Sequence, residues 1–261
     1  MKKILSLHLC VALLGIVLAG CASLKSTKIP QEMTPAPEPT AAPAPEPTSE
    51  PAPAPAAPEP PTPEPPITTA LVSVNRDYDW YLNQQGSGPD EDINCGPACA
   101  VMAALWYDGN FPITVEEARN SIPEVLREWW YYKHIKSFLR SNNIDITYMY
   151  SFSADAARSY IDKNSIMIVN LHMKDITYGR GDDRIGRFYG KTYGHFIILK
   201  GYVTIDGVDY FEVYDPYTMN SYYTDGSPKG KDRLYRADEV EKTVRDWGDG
   251  EYIVINPPPA K

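Results

Sequence analysis

The sequence contains fewer positively charged residues than negatively charged ones. The 261 residues contain 25 Lys and Arg against 34 Asp and Glu, which gives a net charge of −9. Six of the acidic residues lie in 30–66, a segment without Lys or Arg, so the rest of the chain is close to neutral. Because nucleic-acid-binding domains carry a basic patch or stripe, we exclude nucleic acid as a partner.

Cysteine and histidine are also scarce, with four of each. Two of the cysteines lie in an N-terminal targeting segment, which leaves Cys95 and Cys99 for a folded domain. This number excludes a disulfide framework, and a disulfide within one helical turn has poor geometry. A metal site that uses both thiols with His172 or His195 is an alternative, although no further ligand has the usual spacing. We therefore predict no metal and no cofactor.

The first twenty residues are typical of an export signal, with a short basic start and an apolar run. The run ends in Leu18-Ala19-Gly20-Cys21, which resembles the lipobox of bacterial lipoproteins. In that family the cysteine becomes the lipidated first residue of the mature protein. We expect a signal peptide over 1–20, lipidation of Cys21 and a location in the cell envelope, facing outside the cytoplasm. An uncleaved membrane anchor is the alternative, for which the run is slightly short.

Proline dominates the next segment, 21–66. Residues 30–66 hold sixteen of the 25 prolines, mostly in repeats of Pro-x-Pro. Such a composition cannot bury a core and favours polyproline II, which rises about 3.1 Å per residue. We predict a stalk on the order of 100 Å long that holds the following domain away from the membrane. A ligand for proline-binding modules is a weaker alternative.

Residues 67–261 have the composition of one globular domain. Periodicity and turn residues predict helices at 96–107, from Thr114, at 128–141, 153–163 and 237–247, and strands at 145–150, 165–171, 194–202, 208–214 and 251–255. Asp206-Gly207 predicts a tight hairpin between two of these strands. Helices followed by an antiparallel sheet favour an α+β fold. The loop 173–193 is either a specificity lid or a variable insertion.

Cys95 precedes Gly96-Pro97 at the point where a helical pattern begins. Proline is tolerated in the first helical turn, so the cysteine lies at or beside a helix N-terminus. The free N–H groups and the positive end of the helix dipole lower the pKa of a thiol there. This position predicts a nucleophile, whereas Cys99 is most simply a small buried residue.

A nucleophilic cysteine needs a base and a group that orients the base. His195 begins one strand of the predicted hairpin and Asp215 ends the other. Antiparallel pairing about Asp206-Gly207 should place the two side by side. A satisfied core histidine and a strand-ending turn are the purely structural alternatives. An oxyanion donor is also required, and the segment 81–86 supplies side-chain amides just ahead of the helix.

The order of these motifs resembles the papain-like cysteine peptidases. Glutamine comes first, then Cys-Gly-Pro at a helix start, Gly-His-Phe on a strand, and Tyr-Asp-Pro. The branch most similar is that of the double-glycine peptidases, which cleave bacteriocin leaders, and the resemblance covers roughly 78–255. It implies a papain-like fold with four functional residues: Cys95 as nucleophile, His195 as general base and acid, Asp215 as orienter, and Gln84 as oxyanion donor. Gln85 is the runner-up for the last role.

What we carry over from the resemblance is the reaction type, thiol-dependent cleavage of an amide bond, and not the processing of leaders. The expected partners are a peptide or protein substrate, which includes cell-wall peptides, and the membrane through the lipid on Cys21. One alternative is a catalytically silent papain-like module used for binding or adhesion. Another is an amidase or transferase that acts on cell-wall peptides with the same three residues.

Overall fold

The computed structural model describes residues 67–179 and 183–259, which belong to one compact unit. The predicted signal peptide over 1–20, the lipidated Cys21 and the stalk over 21–66 lie outside the described residues. Nowhere in the described ranges is a helix both long and apolar enough to cross a membrane.

The described chain contains five α-helices and seven strands, with three helices before most of the strands. In order, they are β1 (Val72–Ser73), α1 (Cys95–Tyr107), α2 (Val115–Asn120), α3 (Tyr132–Ser141), β2 (Ile146–Met149), α4 (Ala154–Ile161), β3 (Ile166–His172), β4 (Gly194–Ile205), β5 (Val208–Tyr214), β6 (Arg233–Arg236), α5 (Ala237–Trp247) and β7 (Tyr252–Ile255). The predicted α+β fold class is confirmed.

All strands join one antiparallel sheet in the order β2-β7-β3-β4-β5-β6, and β1 adds to β4. The central strand β4 is twelve residues long. Its first half pairs with β3, while most of its length pairs with β5 in the predicted hairpin. Asp206 and Gly207 form the turn with φ of 50° and 75°, the left-handed region that a tight two-residue hairpin turn requires. A register shift between Leu199 and Gly201 interrupts the hairpin.

Helix α1 is buried along nearly its whole length. Every residue from Cys95 to Ala104 is buried, as is Trp106. The helix packs against β3 and β4, with α2 and α3 beside it, so it has no solvent face and no polar stripe. A buried helix that carries Cys95 therefore rests on the antiparallel sheet that carries His195 and leads to Asp215, which is the arrangement that the resemblance implied.

Two predicted helix starts are confirmed by their caps. At α2, Glu117 N–H donates to Thr114 Oγ1 at 3.2 Å, and Thr114 N–H donates back to the Glu117 carboxylate at 2.8 Å. This reciprocal pair is a capping box. At α4, the N–H of Ala156 donates to Ser153 Oγ at 3.2 Å. Both caps satisfy backbone donors that would otherwise have no partner in the first turn.

The third helix was predicted to begin at Glu128, and this prediction is wrong. Helix α3 begins at Tyr132, and Tyr131 has an extended backbone. The N–H of Tyr131 donates to Nδ1 of His134 at 3.0 Å, which caps the helix four residues later than expected. The carbonyl of Glu128 accepts a hydrogen bond from Arg119 at 2.6 Å. Because of these contacts, residues 128–131 form a connecting segment, which lies at the edge of the candidate active site.

Candidate active site

Cys95 is the first residue of α1 and is 3% exposed. Its thiol is hydrogen-bonded to the ring of His195 and to the backbone N–H groups of Phe196 and Gly96. Burial by itself would raise the pKa of this thiol, but the hydrogen bond and charge of His195 outweigh burial and lower it. These contacts therefore stabilise the thiolate relative to that of an ordinary cysteine.

His195 lies at the start of β4 and is 8% exposed. Its Nε2 donates to Oδ1 of Asp215 at 2.7 Å, which leaves Nδ1 for the hydrogen bond with Cys95. Burial opposes a charge on the ring, yet the Asp215 carboxylate raises the pKa of His195 to about 10. A protonated imidazole between a thiolate and a carboxylate is the ion-pair arrangement of an activated cysteine.

Asp215 follows β5 and is fully buried. Oδ1 accepts hydrogen bonds from His195 and from the N–H of Tyr217 at 2.9 Å. Oδ2 accepts hydrogen bonds from the hydroxyls of Tyr189 at 2.7 Å and Tyr235 at 2.6 Å. Burial would raise the pKa of this carboxyl, but the charge and hydrogen bonds of its partners lower it. The carboxylate stays ionised because four donors replace the water that it has lost.

No sequence pattern pointed to the two tyrosines. Tyr189 comes from the 173–193 loop and Tyr235 from β6, a strand that the sequence pattern also missed. Burial, followed by the nearby Asp215 carboxylate, raises the pKa of both phenols well above the ordinary value, so both remain donors. A third tyrosine holds the backbone, since Tyr81 donates from its hydroxyl to the carbonyl of Asp215 at 2.8 Å. Nothing local distinguishes these three among the 19 tyrosines of the chain.

Gln84 is 1% exposed and lines the same recess as Cys95 and His195. Its Nε2 donates to the carbonyl of Glu91 at 2.8 Å, which fixes the amide and leaves its second N–H for another acceptor. Gln85 is engaged elsewhere: its Oε1 accepts hydrogen bonds from Thr218 at 3.1 Å and from the N–H of Asn220 at 3.2 Å. Of the two glutamines, the geometry favours Gln84 as the oxyanion donor.

Two recesses meet at the thiol of Cys95. The first, of about 330 Å³, is lined by Gln84, Asp92, Tyr189, Lys191, His195 and Tyr217. The second, of about 720 Å³, we call the aromatic recess, and its walls include Trp129, Trp130, Tyr131, Tyr193, Phe196 and Trp247. No charged side chain of the described residues lines the aromatic recess. A concave, mostly apolar cleft with a few convergent polar groups is typical of a ligand site, and Cys95 lines both recesses.

The side chains named for the alternative metal site do not form a cluster of ligands in the described residues. Cys95 and Cys99 are free thiols. His172 packs its ring on Trp247, with 4.6 Å between ring centroids, and its Nδ1 accepts a hydrogen bond from Lys174 N–H. Among residues 67–179 and 183–259, no three metal-ligating side chains come together.

No protein-family model matches the sequence, and no curated protein matches it either. Two similar solved structures are both 18% identical or less. One, from Bacillus anthracis, is described as a C39-like peptidase and has a TM-score of 0.49 at 11% identity, over 72% of this chain and 98% of that chain. The other, UfSP from C. elegans, has a TM-score of 0.46 at 18% identity, over 74% of this chain and 35% of that chain.

Proposed function

We propose that this protein is a cysteine peptidase that cleaves peptide bonds through Cys95, His195 and Asp215. The observation that carries the proposal is the hydrogen-bonded line from the Cys95 thiol through the His195 ring to the Asp215 carboxylate, at the floor of an open cleft. The depressed pKa of the thiol and the raised pKa of the imidazole are what a thiolate nucleophile requires.

The first half of the reaction forms a thioester. The Cys95 thiolate attacks the carbonyl carbon of the peptide bond, and the π electrons of the C=O bond move to oxygen. The second N–H of Gln84 and the backbone N–H of Cys95, at the start of α1, stabilise this oxyanion. The oxyanion then collapses to a carbonyl as the C–N bond breaks. His195 gives its Nδ1 proton to the departing nitrogen, so the first product leaves as an amine.

The second half restores the enzyme. A water molecule attacks the thioester carbonyl while His195 takes one of its protons. The second tetrahedral intermediate collapses, the C–S bond breaks, and the thiolate leaves beside a protonated imidazole again. Asp215 keeps the imidazole ring oriented and balances its charge through both halves.

The same chemistry serves an amidase that acts on cell-wall peptides and releases its product with water. It also serves a transferase on such peptides, in which an amine replaces water in the second step. A silent binding module would need the cleft but not the ion pair. We favour catalysis because a buried ion pair is costly to maintain without a function that uses its charge.

We further propose that the peptidase acts outside the cytoplasm, anchored by a lipid on Cys21 and separated from the membrane by the stalk over 21–66. Support comes from the lipobox-like motif and the proline-rich composition. Expression in a bacterial host with a labelled fatty acid tests the anchor. Label is expected on the wild-type protein and not on Cys21→Ala, and label on both or on neither contradicts the anchor.

Activity is tested by profiling the purified domain on a peptide library and a muropeptide library. Wild-type protein is expected to cleave members of one library, with Cys95→Ala inactive. Turnover by Cys95→Ala would contradict the mechanism. No turnover of either library, together with no alkylation of Cys95 by iodoacetamide below the ordinary pKa of a thiol, would support the silent module instead.

A further inference from the structure

Arg119 is buried beside the two residues that precede the proposed nucleophile. It lies in α2 and is 2% exposed. Its Nε donates to Oδ1 of Asn94 at 2.8 Å, and a terminal nitrogen donates to the carbonyl of Ile93 at 2.8 Å. These two acceptors belong to the last two residues before Cys95. The position of the first turn of α1 therefore depends on a side chain from another helix.

The other terminal nitrogen of Arg119 reaches a second segment. It donates to the carbonyls of Val125 at 3.1 Å and Glu128 at 2.6 Å. Glu128 directly precedes Trp129 and Trp130 in the wall of the aromatic recess. One guanidinium thus connects the nucleophile and one wall of the cleft, two parts that lie about thirty residues apart in the chain.

The tryptophan wall of the aromatic recess and helix α1 are also in tight contact. A Cβ atom built on Gly96 would lie 2.8 Å from the Cβ of Trp130, so only glycine fits there. The Arg119 guanidinium lies 5.8 Å from the Trp130 ring. A shift of the 125–130 segment would therefore be transmitted to the first turn of α1.

Asn94 occupies the N-cap position of α1 but does not cap the helix with its side chain. Its Oδ1 is held by Arg119, and its Nδ2 donates to Oγ of Ser87 at 2.9 Å. An asparagine at this position would otherwise accept a hydrogen bond from a first-turn N–H. By engaging Asn94, Arg119 keeps the asparagine side chain away from the N–H of Gly96, which donates to the Cys95 thiol.

The four hydrogen bonds of Arg119 all go to neutral oxygens, whereas a buried arginine is usually paired with a carboxylate. Burial lowers the pKa of its guanidinium, while the charges of Asp90 and of the Cys95 thiolate raise it.

We propose that Arg119 is the positioning residue of the active site, fixing the start of α1 and the tryptophan wall in the geometry that the reaction needs. The inference rests on the proposed function of Cys95. It assigns Arg119 an effect on the chemical step, through Ile93, Asn94 and the 125–130 segment, and no contact with the substrate.

The structure offers a direct test by chemical rescue. A separate recess of about 530 Å³ reaches Arg119 and Asn94, with Asp90, Glu116 and Arg127 also in its lining. Truncation of Arg119 to alanine would extend this recess to the vacated guanidinium position. A small guanidinium ion from solution could then enter and bind the same oxygens.

The experiment compares Arg119→Ala and Arg119→Lys with a matched control, Arg76→Ala. Arg76 donates to the carbonyl of Trp106 at 2.8 Å at the opposite end of α1. The measurements are kcat and KM for the best library peptide, the rate of Cys95 alkylation by iodoacetamide, and the melting temperature. Each is repeated with millimolar ethylguanidinium, which is too dilute to denature the protein.

For Arg119→Ala we expect kcat to fall about 100-fold with little change in KM, because small misplacements of reacting groups cost about this much. The alkylation rate should fall with it, and ethylguanidinium should restore both. Arg119→Lys should recover little, because an ammonium cannot reach four acceptors on two segments. Arg76→Ala should lower the melting temperature but leave kcat unchanged.

Wild-type kcat and alkylation rate in folded Arg119→Ala would overturn the inference. So would a loss that appears equally in Arg76→Ala, or rescue of the melting temperature without rescue of kcat. If Arg119→Ala does not fold, Arg119→Lys decides the question. Wild-type kcat and a wild-type alkylation rate in folded Arg119→Lys would then overturn the inference. If wild-type protein cleaves no peptide, the proposed function fails, and the alkylation rate still reports whether Arg119 controls Cys95.

Discussion

The hydroxyl of Tyr189 donates a 2.7 Å hydrogen bond to Oδ2 of Asp215. This bond ties Tyr189, in the 173–193 loop, to the carboxylate that holds the His195 ring, so the loop contributes a contact to the site. Tyr235 donates to the same oxygen at 2.6 Å from β6. The two phenols hold one oxygen of Asp215 while His195 and the backbone hold the other.

Tyr189→Phe and Tyr235→Phe should each raise the pKa of Asp215 and lower kcat. Each removes a hydrogen bond to a buried carboxylate, worth about 1.5–3 kcal/mol. The free energy of unfolding should fall by a similar amount in urea titrations. The control is Tyr202→Phe, which removes a 2.8 Å bond to the carboxylate of Asp162 on the protein surface. If all three variants behave alike, the special role of the two buried tyrosines is refuted.

Asp215→Asn should nearly abolish turnover while keeping the shape of the side chain. The amide cannot balance the charge of His195, so the pKa of the imidazole should fall toward its ordinary value and the thiol should regain its proton. A loss of about 10³- to 10⁴-fold in kcat is expected from comparable triads. The pH dependence of Cys95 alkylation checks this, with its midpoint moving to higher pH. An unchanged midpoint would show that Asp215 does not set the charge of His195.

Cys95→Ala should remove all activity and leave the melting temperature within a few degrees of the wild-type value. Cys99→Ala is the matched control, because this thiol is equally buried one turn further along α1. It should cost about 1 kcal/mol of stability and retain turnover. Mass spectrometry after iodoacetamide treatment should find the label on Cys95 alone. Labelling of Cys99 in the folded protein would contradict the assignment of the nucleophile.

Gln84→Ala should lower kcat by about 100-fold, the usual effect of removing one oxyanion donor. Gln85→Ala should cost much less, since Gln85 only braces the turn at 218–220. Equal losses in kcat would mean that both glutamines act through the fold. Because Gln84 also holds the carbonyl of Glu91, the melting temperatures of both variants are needed for the comparison.

Stability should depend on pH through the His195–Asp215 pair. The pKa of His195 is raised from 6.5 to about 10, so its contribution is fully present below 6.5 and is lost as the pH rises toward 10. The pKa of Asp215 is lowered from 3.8, so its contribution is present above 3.8 and is lost as the pH falls below it. The pair therefore stabilises most between about pH 4 and 6.5. Urea unfolding of wild type and His195→Gln checks this, and a difference in stability that is constant with pH would contradict it.

Local chemistry explains why much of the framework could be predicted from the sequence. Gly96-Pro97 before an apolar run marks the start of α1, and the turn at Asp206-Gly207 fixes the pairing of β4 with β5. Because turn type sets register, the approach of His195 to Asp215 follows from residues that are near each other in the chain. The α+β class follows from the order of the elements in the same way.

The start of helix α3 and the presence of strand β6 depend on contacts between residues that are distant in the sequence. Helix α3 begins late because Arg119 binds the carbonyl of Glu128 and because His134 supplies the cap. Strand β6 has no apolar alternation and exists because it pairs with β5.

Local turns and helix starts in the sequence encode the positions of Cys95, His195 and Asp215. Their surroundings, among them Tyr189, Tyr235 and Arg119, come from packing between distant segments. A buried charge must find its hydrogen bonds wherever packing brings donors and acceptors, and no local propensity specifies which distant side chain supplies them.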